Sequence, residues 1–374
     1  MPGRLTRRAL ESYIIASMPS FVPSILQRPV AHRVVRTLAE IHRSRGKQEL
    51  YRERAPEVLE NLRRVAVIES TESSNRIEGV VVPRSVLVEL VEKEHKPPRI
   101  ENRSEGEVAG YRAVLDVILE NHANIPLNTG VVLQLHRDLY KFAGGIGGRW
   151  KPTENEITEE RADGSKFVRF VPVPAFRTPA AMDDLHAKFA AELGAGEIDP
   201  LMLVALYVLD FLCVHPFADG NGRMSRLLTV LLLHQQGFEV GQYVSLERLI
   251  EQTKDGYYDT LYRASQGWHE DRHDPGPWIE YFLTIIRTAY EELGSSVDEL
   301  KNQRGTKTAF VLQAIGRAVG DFSVAELHAK VPSVGLDLIR KVLKDEKAAG
   351  RVVPLGRGRT ARWRKAAVQA SSSG

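Results

Sequence analysis

His215-Pro216-Phe217-Ala218-Asp219-Gly220-Asn221-Gly222-Arg223, with Arg226 just beyond, lies between two segments that read as long helices. The upstream segment, residues 199–214, is apolar nearly all round, which predicts a helix buried on every side at the centre of an all-α domain. Pro216 ends that helix. Asn221 is placed to cap a second one, running from about Gly222 to Gln236 and stopped by Gly237. A loop in this position offers free backbone N–H groups at a helix N-terminus, a ready site for phosphate, and its glycines let a ligand approach the backbone. Arg223 and Arg226 stand on one helix face and add two guanidinium forks for phosphate oxygens. Asp219 supplies a single carboxylate, enough for Mg2+ when substrate phosphates complete its shell. His215 sits at the helix end as a group able to titrate near neutrality. Together these residues suit transfer of a phosphorus centre to a hydroxyl. Each also has an ordinary reading: a histidine after an apolar helix is most often structural, Gly-Asn-Gly is a common turn, and a loop aspartate is usually solvated.

Outward from this loop, most of the chain has helical periodicity. Val58, Leu59, Leu62, Val65, Val67 and Ile68 mark a helix over about 56–79, with Pro56 in its first turn and Gly79 just past its end. Further helices are expected over Ser104–Leu119, Thr129–Phe142, Leu246–Gln266 and Pro277–Leu293. Residues 144–174 break the pattern. Four glycines open the segment and Pro172 and Pro174 close it, while Asn155-Glu156-Ile157 and Phe167–Val171 flank Asp163-Gly164, the signature of a β-hairpin. After Lys307 come three short helices. Ser323 and Glu326 form a capping box for the second, and Ser333 is placed to cap the third. Two strands around the basic turn Gly356-Arg357-Gly358-Arg359 follow, so that residues 305–367 resemble a winged helix-turn-helix, and Ser371–Gly374 read as a disordered end. The domain plan is an N-terminal helical region (1–100), a helical core (101–295) and this last unit.

The formal net charge of +3 is unevenly placed: residues 301–374 carry 15 Lys+Arg against 5 Asp+Glu, so the remainder is acidic. Arg340, Lys341, Lys344 and Lys347 on the third C-terminal helix have the electrostatics for DNA, and a protein-interaction module fits the same residues. A single cysteine, Cys213, excludes an intrachain disulfide and a cysteine-rich zinc site, and nothing marks it as an activated nucleophile. His122, His136, His234, His269 and His273 lack metal-ligand spacing. Ser12, Tyr13, Ser17 and Pro19 interrupt any signal-peptide core, and Asp210 interrupts the longest apolar run, Leu201–Val214. A soluble, cytoplasmic protein with no membrane partner is expected.

The loop matches the Fic signature, H-P-F-x-[D/E]-G-N-G-R-x-x-R, at every fixed position through Arg226. Leu135–Tyr140, Gly148-Arg149-Trp150, Tyr257-Tyr258, Trp268 and Pro277-Trp278-Ile279 are similar to flanking parts of that family, so the resemblance covers most of residues 50–290. It implies an all-α Fic core with a small β-hairpin flap, and transfer of AMP from ATP to a Ser, Thr or Tyr hydroxyl of a protein. In that scheme His215 is the base and Asp219 holds Mg2+. Gly220, Asn221 and Gly222, with Phe217 beside them, cradle the α- and β-phosphates; Arg223 and Arg226 bind the β/γ end; Tyr257 or Tyr258 contacts adenine. The hairpin at about 153–173 holds the target segment as an added strand. Ser74-Asn75-Arg76-Ile77-Glu78-Gly79 is similar to the family's inhibitory motif, which implies that Glu78, with Ser74 and Gly79, draws Arg226 away from the γ-phosphate. The helix dipole independently disfavours an anion where Glu78 stands. Two other readings stay open: an ATP-sensing DNA-binding regulator, and a Fic enzyme that removes AMP or transfers another nucleotide. The oligomeric state, a homo-oligomer included, is not determined.

Overall fold

The computed structural model describes residues 18–92, 100–145, 147–160, 164–302, 306–318, 320–332, 334–356 and 361–366. Ser12, Tyr13, Ser17, Asp163, Ser333, Arg357–Arg359 and Ser371–Gly374 lie outside the described residues.

The architecture is mostly helical. Helices α1 (His32–Arg54), α2 (Pro56–Ile77) and α3 (Arg84–Glu92) precede α4 (Arg103–Asn121) and α5 (Thr129–Leu139). Strands β1 (Ile157–Glu160) and β2 (Lys166–Phe170) form an antiparallel hairpin, with Ile157 opposite Phe170 and a register irregularity after Ile157. Then come α6 (Thr178–Ala195), α7 (Pro200–Val214), α8 (Asn221–Gln235), α9 (Leu246–Gln252), α10 (Lys254–Ser265) and α11 (Gly276–Asn302).

Helix α7 is the axis of the core. Leu203, Val204, Ala205, Tyr207 and Phe211 are fully buried, and α6, α8, α10 and α11 pack around it. An all-round apolar helix can settle only where neighbours cover every face. Helix α2 lies against α4 and α9, and its last turn reaches α8. Helix α5 approaches α4 closely because Gly110 stands beneath the Leu139 carbonyl, where any Cβ would collide.

The expected helix over Leu246–Gln266 is two helices. They part at Thr253 (φ −117°, ψ 30°), whose hydroxyl donates back to the Leu249 carbonyl at 2.8 Å and competes with the backbone ladder. The helix expected to reach Phe142 ends at Leu139. Asn221 is not a cap: Gly220 (φ 83°) holds that position for α8 and supplies no side chain.

The C-terminal unit consists of α12 (Thr306–Arg317), β3 (Phe322–Ser323), α13 (Val324–Lys330), α14 (Leu336–Ala348), β4 (Val352–Pro354) and β5 (Arg362–Lys365). Its sheet has the order β3-β5-β4, so a third strand of two residues, too short to leave a sequence pattern, joins the two expected. The Ser323–Glu326 capping box is formed at both bonds. Gly335 rather than Ser333 occupies the cap position of α14.

This unit is tied to α2 by buried charge. Lys330 Nζ on α13 lies 3.2 Å from Glu69 Oε1 on α2, and Arg248 Nε lies 3.0 Å from Glu69 Oε2. Arg248 also meets Glu292 at 2.5 Å. Glu69, Lys330 and Arg248 are all buried. Burial pushes the Glu69 pKa up, but the charges of Lys330, Arg248 and Arg317 outweigh it and hold the carboxyl below its ordinary value.

No helix among the described residues is long and apolar enough to cross a membrane.

Candidate active site

His215 closes α7 in the left-handed region, at φ 48° and ψ 61°, and its N–H reaches the Phe211 carbonyl at 2.9 Å. Glycine or asparagine normally takes this helix-end position. A histidine there is strained by about 1–3 kcal/mol and persists only where its surroundings hold it. The ring Nδ1 lies 3.3 Å from the Leu212 carbonyl, so Nδ1 carries the proton and Nε2 keeps its lone pair. Burial is the main reason that the His215 pKa falls to about 4; the nearby Lys151 charge adds to the drop, while the Leu212 carbonyl, Glu78 and Asp219 oppose it. At neutral pH the ring is an uncharged base.

The following loop is braced from inside. Asn221 Oδ1 accepts the Phe217 N–H at 2.9 Å, and Asn221 Nδ2 donates to the Phe217 carbonyl at 2.8 Å. Each end of this amide makes a bond to the loop backbone. Phe217 is likewise an anchor: fully buried, it stacks on the His136 ring at 3.6 Å between centroids and 4° between planes. His136 Nδ1 accepts the Gly148 N–H at 2.9 Å, so its Nε2–H donates to the Asp219 carbonyl at 3.1 Å. Burial lowers the His136 pKa to about 4, which keeps this tautomer neutral. Arg223 also turns inward. It is 1% exposed and donates to Glu107 Oε2 at 2.6 Å and to the Tyr140 hydroxyl at 2.8 Å. These bonds tie α8 to α4 and to the end of α5.

Arg226 does face the site. Its Nε donates to Ser74 Oγ at 2.8 Å, and one terminal nitrogen donates to the Ser74 carbonyl at 2.9 Å and to Glu78 Oε1 at 2.8 Å. The other terminal nitrogen, Nη1, is buried with no hydrogen-bond partner among the described residues. Burial works against the Arg226 charge, but Glu78 heads the groups that hold its pKa above the ordinary value. Glu78 caps the C-terminal end of α2, with Gly79 (φ 79°) beyond it. Its carboxylate lies against the first turn of α8: a Cβ on Gly222 would collide with Glu78 Oε1. The anion thus leaves the unfavourable end of its own helix and sits at the favourable end of another.

These groups edge a cleft of about 620 Å3. Its lining combines the polar groups of Glu78, Gly222, Arg226 and His215 with apolar and aromatic side chains of Leu209, Leu212, Tyr257, Tyr258, Leu261 and Tyr262. Tyr257 is buried against Trp278 and Tyr258 is half-buried, their rings 5.2 Å apart. Cys213 also lines the cleft; burial raises its pKa well above the ordinary value and keeps it a thiol. The hairpin contributes Ile157, Thr158, Arg169 and Phe170 to the rim. The Asp219 side chain is 61% exposed; Oδ1 takes the Gly220 N–H at 2.7 Å, and Oδ2 lies 3.4 Å from Arg103. No cluster of three metal-ligating side chains occurs among the described residues, so Asp219 is a lone carboxylate.

Lys151 and Asn155 escaped the sequence reading. Both contact the loop, as described below. The signal was Gly148-Arg149-Trp150, whose next residue is Lys151. Asn155 read as part of a strand, which in fact begins at Ile157. Of the two partners of Arg223, Tyr140 belongs to the stretch Leu135–Tyr140 noted above, and Glu107 had no signal of its own.

Residues 126–233 match the Fic/DOC family. The chain is 26% identical over 185 residues to the protein adenylyltransferase fic-1 of Caenorhabditis elegans, covering 48% of this chain and 32% of that protein. It is 24% identical over 205 residues to the protein adenylyltransferase Fic of Nematostella vectensis, covering 52% and 42%. It therefore spans less than half the length of either relative. The crystal structure of a Fic family protein from Desulfovibrio desulfuricans superposes with a TM-score of 0.60 at 23% identity, over 91% of this chain and 98% of that one, a likeness of fold. With the signature loop, the helices that bury it and the family match agreeing on the same residues, this chain carries a Fic/Fido domain.

Proposed function

We propose that the chain is a protein adenylyltransferase held in check by its own α2 helix. The observation that carries the reading is the Glu78 carboxylate, bonded to Arg226 at 2.8 Å and resting on the first turn of α8 beside an uncharged His215. A carboxylate settled on a guanidinium and a helix N-terminus marks a place built for a phosphate.

In the reaction, His215 Nε2 takes the proton of a Ser, Thr or Tyr hydroxyl on the target protein. The oxygen forms a bond to the α-phosphorus of ATP, the bond from that phosphorus to the α/β bridging oxygen breaks, and diphosphate leaves. Backbone N–H groups of the first turn of α8, around Gly222, stabilise the charge that develops on the phosphates. Tyr257 and Tyr258 border the space for adenine. The chemistry of the donor set at Asp219 fits Mg2+: one exposed carboxylate on the loop that leads into α8, with oxygens of the substrate to complete the shell. Bound there, the ion supplies charge neutralisation on the phosphates. Ser74, Glu78 and Gly79 form the brake, which keeps Arg226 engaged until the carboxylate is displaced. The β1–β2 hairpin borders the cleft and is read as the flap that aligns the target segment.

Mass spectrometry of the Glu78→Ala chain incubated with ATP and Mg2+ tests this reading. A gain of one AMP on the chain or on an added protein is expected. Absence of any covalent nucleotide counts against the reaction class.

The C-terminal unit is read as a winged helix. Arg340, Lys341, Lys344 and Lys347 are exposed on α14, a basic face suited to DNA. A mobility shift of duplex DNA by the full chain that weakens steeply with salt is the expected result; no shift at low salt refutes it.

A further inference from the structure

The turn at His215 leaves a run of backbone carbonyls with no partner within helix α7, and of these Phe217 alone is also met by Asn221 Nδ2. A helix end strands its last C=O groups, and the left-handed step at His215 turns the next ones away from the helix axis. Four consecutive carbonyls are met by two residues ahead of strand β1. Lys151 Nζ donates to the Val214 carbonyl at 3.0 Å, and the Lys151 backbone N–H donates to the Pro216 carbonyl at 2.8 Å. Asn155 Nδ2 lies 3.4 Å from the His215 carbonyl and 3.2 Å from that of Phe217. The two side chains are joined, Lys151 Nζ to Asn155 Oδ1, at 2.8 Å.

The placement of Lys151 is unusual in energetic terms. It is 3% exposed and makes no ion pair among the described residues; Glu154, beside it in sequence, gives its carboxylate to the Ala175 N–H. A buried ammonium without a counter-ion is costly unless carbonyl and amide oxygens replace its water. Burial lowers its pKa to about 8, and Glu154 opposes that shift. The ammonium is therefore held by the Val214 carbonyl of the histidine turn and by the Asn155 amide oxygen.

We infer that Lys151 and Asn155 are positioning residues: they lock the strained turn at His215 by taking its four carbonyls, and so aim the free ring nitrogen into the cleft. Because both precede β1, the same clasp fixes the base of the hairpin to the loop, and a displacement of one is transmitted to the other. The inference rests on the reading of His215 as the base. A misplacement of about 1 Å at a reacting group costs on the order of a hundred-fold in rate.

The test uses the full chain carrying Glu78→Ala, with self-labelling by α-labelled ATP measured across ATP concentrations. Lys151→Met keeps the buried stem and removes the donor. It is expected to lower kcat by about thirty- to a hundred-fold with the KM for ATP changed less than about two-fold, and Lys151→Arg, which restores a donor, is expected to recover most of kcat. Asn155→Ala removes the two longer bonds from a half-buried site and serves if Lys151→Met does not fold; a fall of about three- to ten-fold in kcat is expected. The His215 ring resonances in each variant are read by NMR and should move from those of the parent.

Unchanged kcat in the folded Lys151→Met or Asn155→Ala chain, or unmoved His215 resonances, overturns the inference. So does a fall in kcat that Lys151→Arg leaves uncorrected. His215→Ala separates the two readings. If that variant still transfers AMP, the role of the base falls, while the ring resonances still decide whether the clasp holds the turn.

Discussion

Replacing Glu78 by Ala should make the chain less stable when empty and a better binder of ATP, two effects of opposite sign from one substitution. Arg226 would keep its two bonds to Ser74 and lose the charge-assisted bond to Glu78. Such bonds contribute about 1.5–3 kcal/mol where water is excluded. The Glu78 side chain is 31% exposed, and screening places this one near the lower end, about 1.5 kcal/mol. For a chain of this size that lowers the unfolding midpoint by roughly 2 °C. The same carboxylate stands where a phosphate would meet Arg226 and α8, so its removal returns a similar free energy to the nucleotide, about ten-fold in Kd at about 1.4 kcal/mol per decade. Scanning fluorimetry of the empty chain reads the first effect. Calorimetric titration with ATP and Mg2+, in a His215→Ala background to prevent turnover, reads the second. An ATP affinity that is unchanged or weaker after Glu78→Ala would refute the placement of the carboxylate in the nucleotide's path.

Other outcomes follow from the same geometry. Gly222→Ala should also dislodge Glu78 and lower the melting midpoint, yet give no gain in ATP affinity, because the methyl group fills the space that the carboxylate leaves; titration of both variants side by side checks this. With His215 at about pH 4 in the empty site, the ring remains a base well below its ordinary 6.5, so the acid limb of kcat/KM should fall near pH 4 in a pH-rate profile. Lys330→Met should destabilise by about 3 kcal/mol or less, since Glu69 keeps Arg248 while losing Lys330. Glu69 has a folded pKa below its ordinary 4.5, so its contribution is complete above that pH and is lost as pH falls through the lowered value; the gap between variant and parent in denaturant midpoint should narrow on acidification. Asn221→Ala removes both bonds that brace Phe217 and should lower thermal stability by about 1–3 kcal/mol, with a larger loss in AMP transfer than in ATP binding.

What the sequence determined by itself was carried by local spacing, though not every helix boundary or cap. The all-round apolar run of α7, the proline and glycines after it, the Ser323–Glu326 cap and the helix ending at Glu78 depend on residues within a few positions of one another. Their geometry is set by backbone sterics and periodicity, so these features were legible before any folding was considered. The placing of polar side chains was not. The partners of Asn221 and Arg223 had no sequence pattern to announce them: the loop backbone at Phe217 for one, and the distant Glu107 and Tyr140 for the other. Arg226 faces the cleft and Arg223 the interior although they stand three residues apart, because Glu107 lies under one and the end of α2 under the other. Lys151 and Asn155 acquire a role only once the hairpin folds back onto the turn at His215. Burial makes these choices, because a polar group taken from water must bond to whatever the packed fold brings beside it, and sequence distance does not measure that.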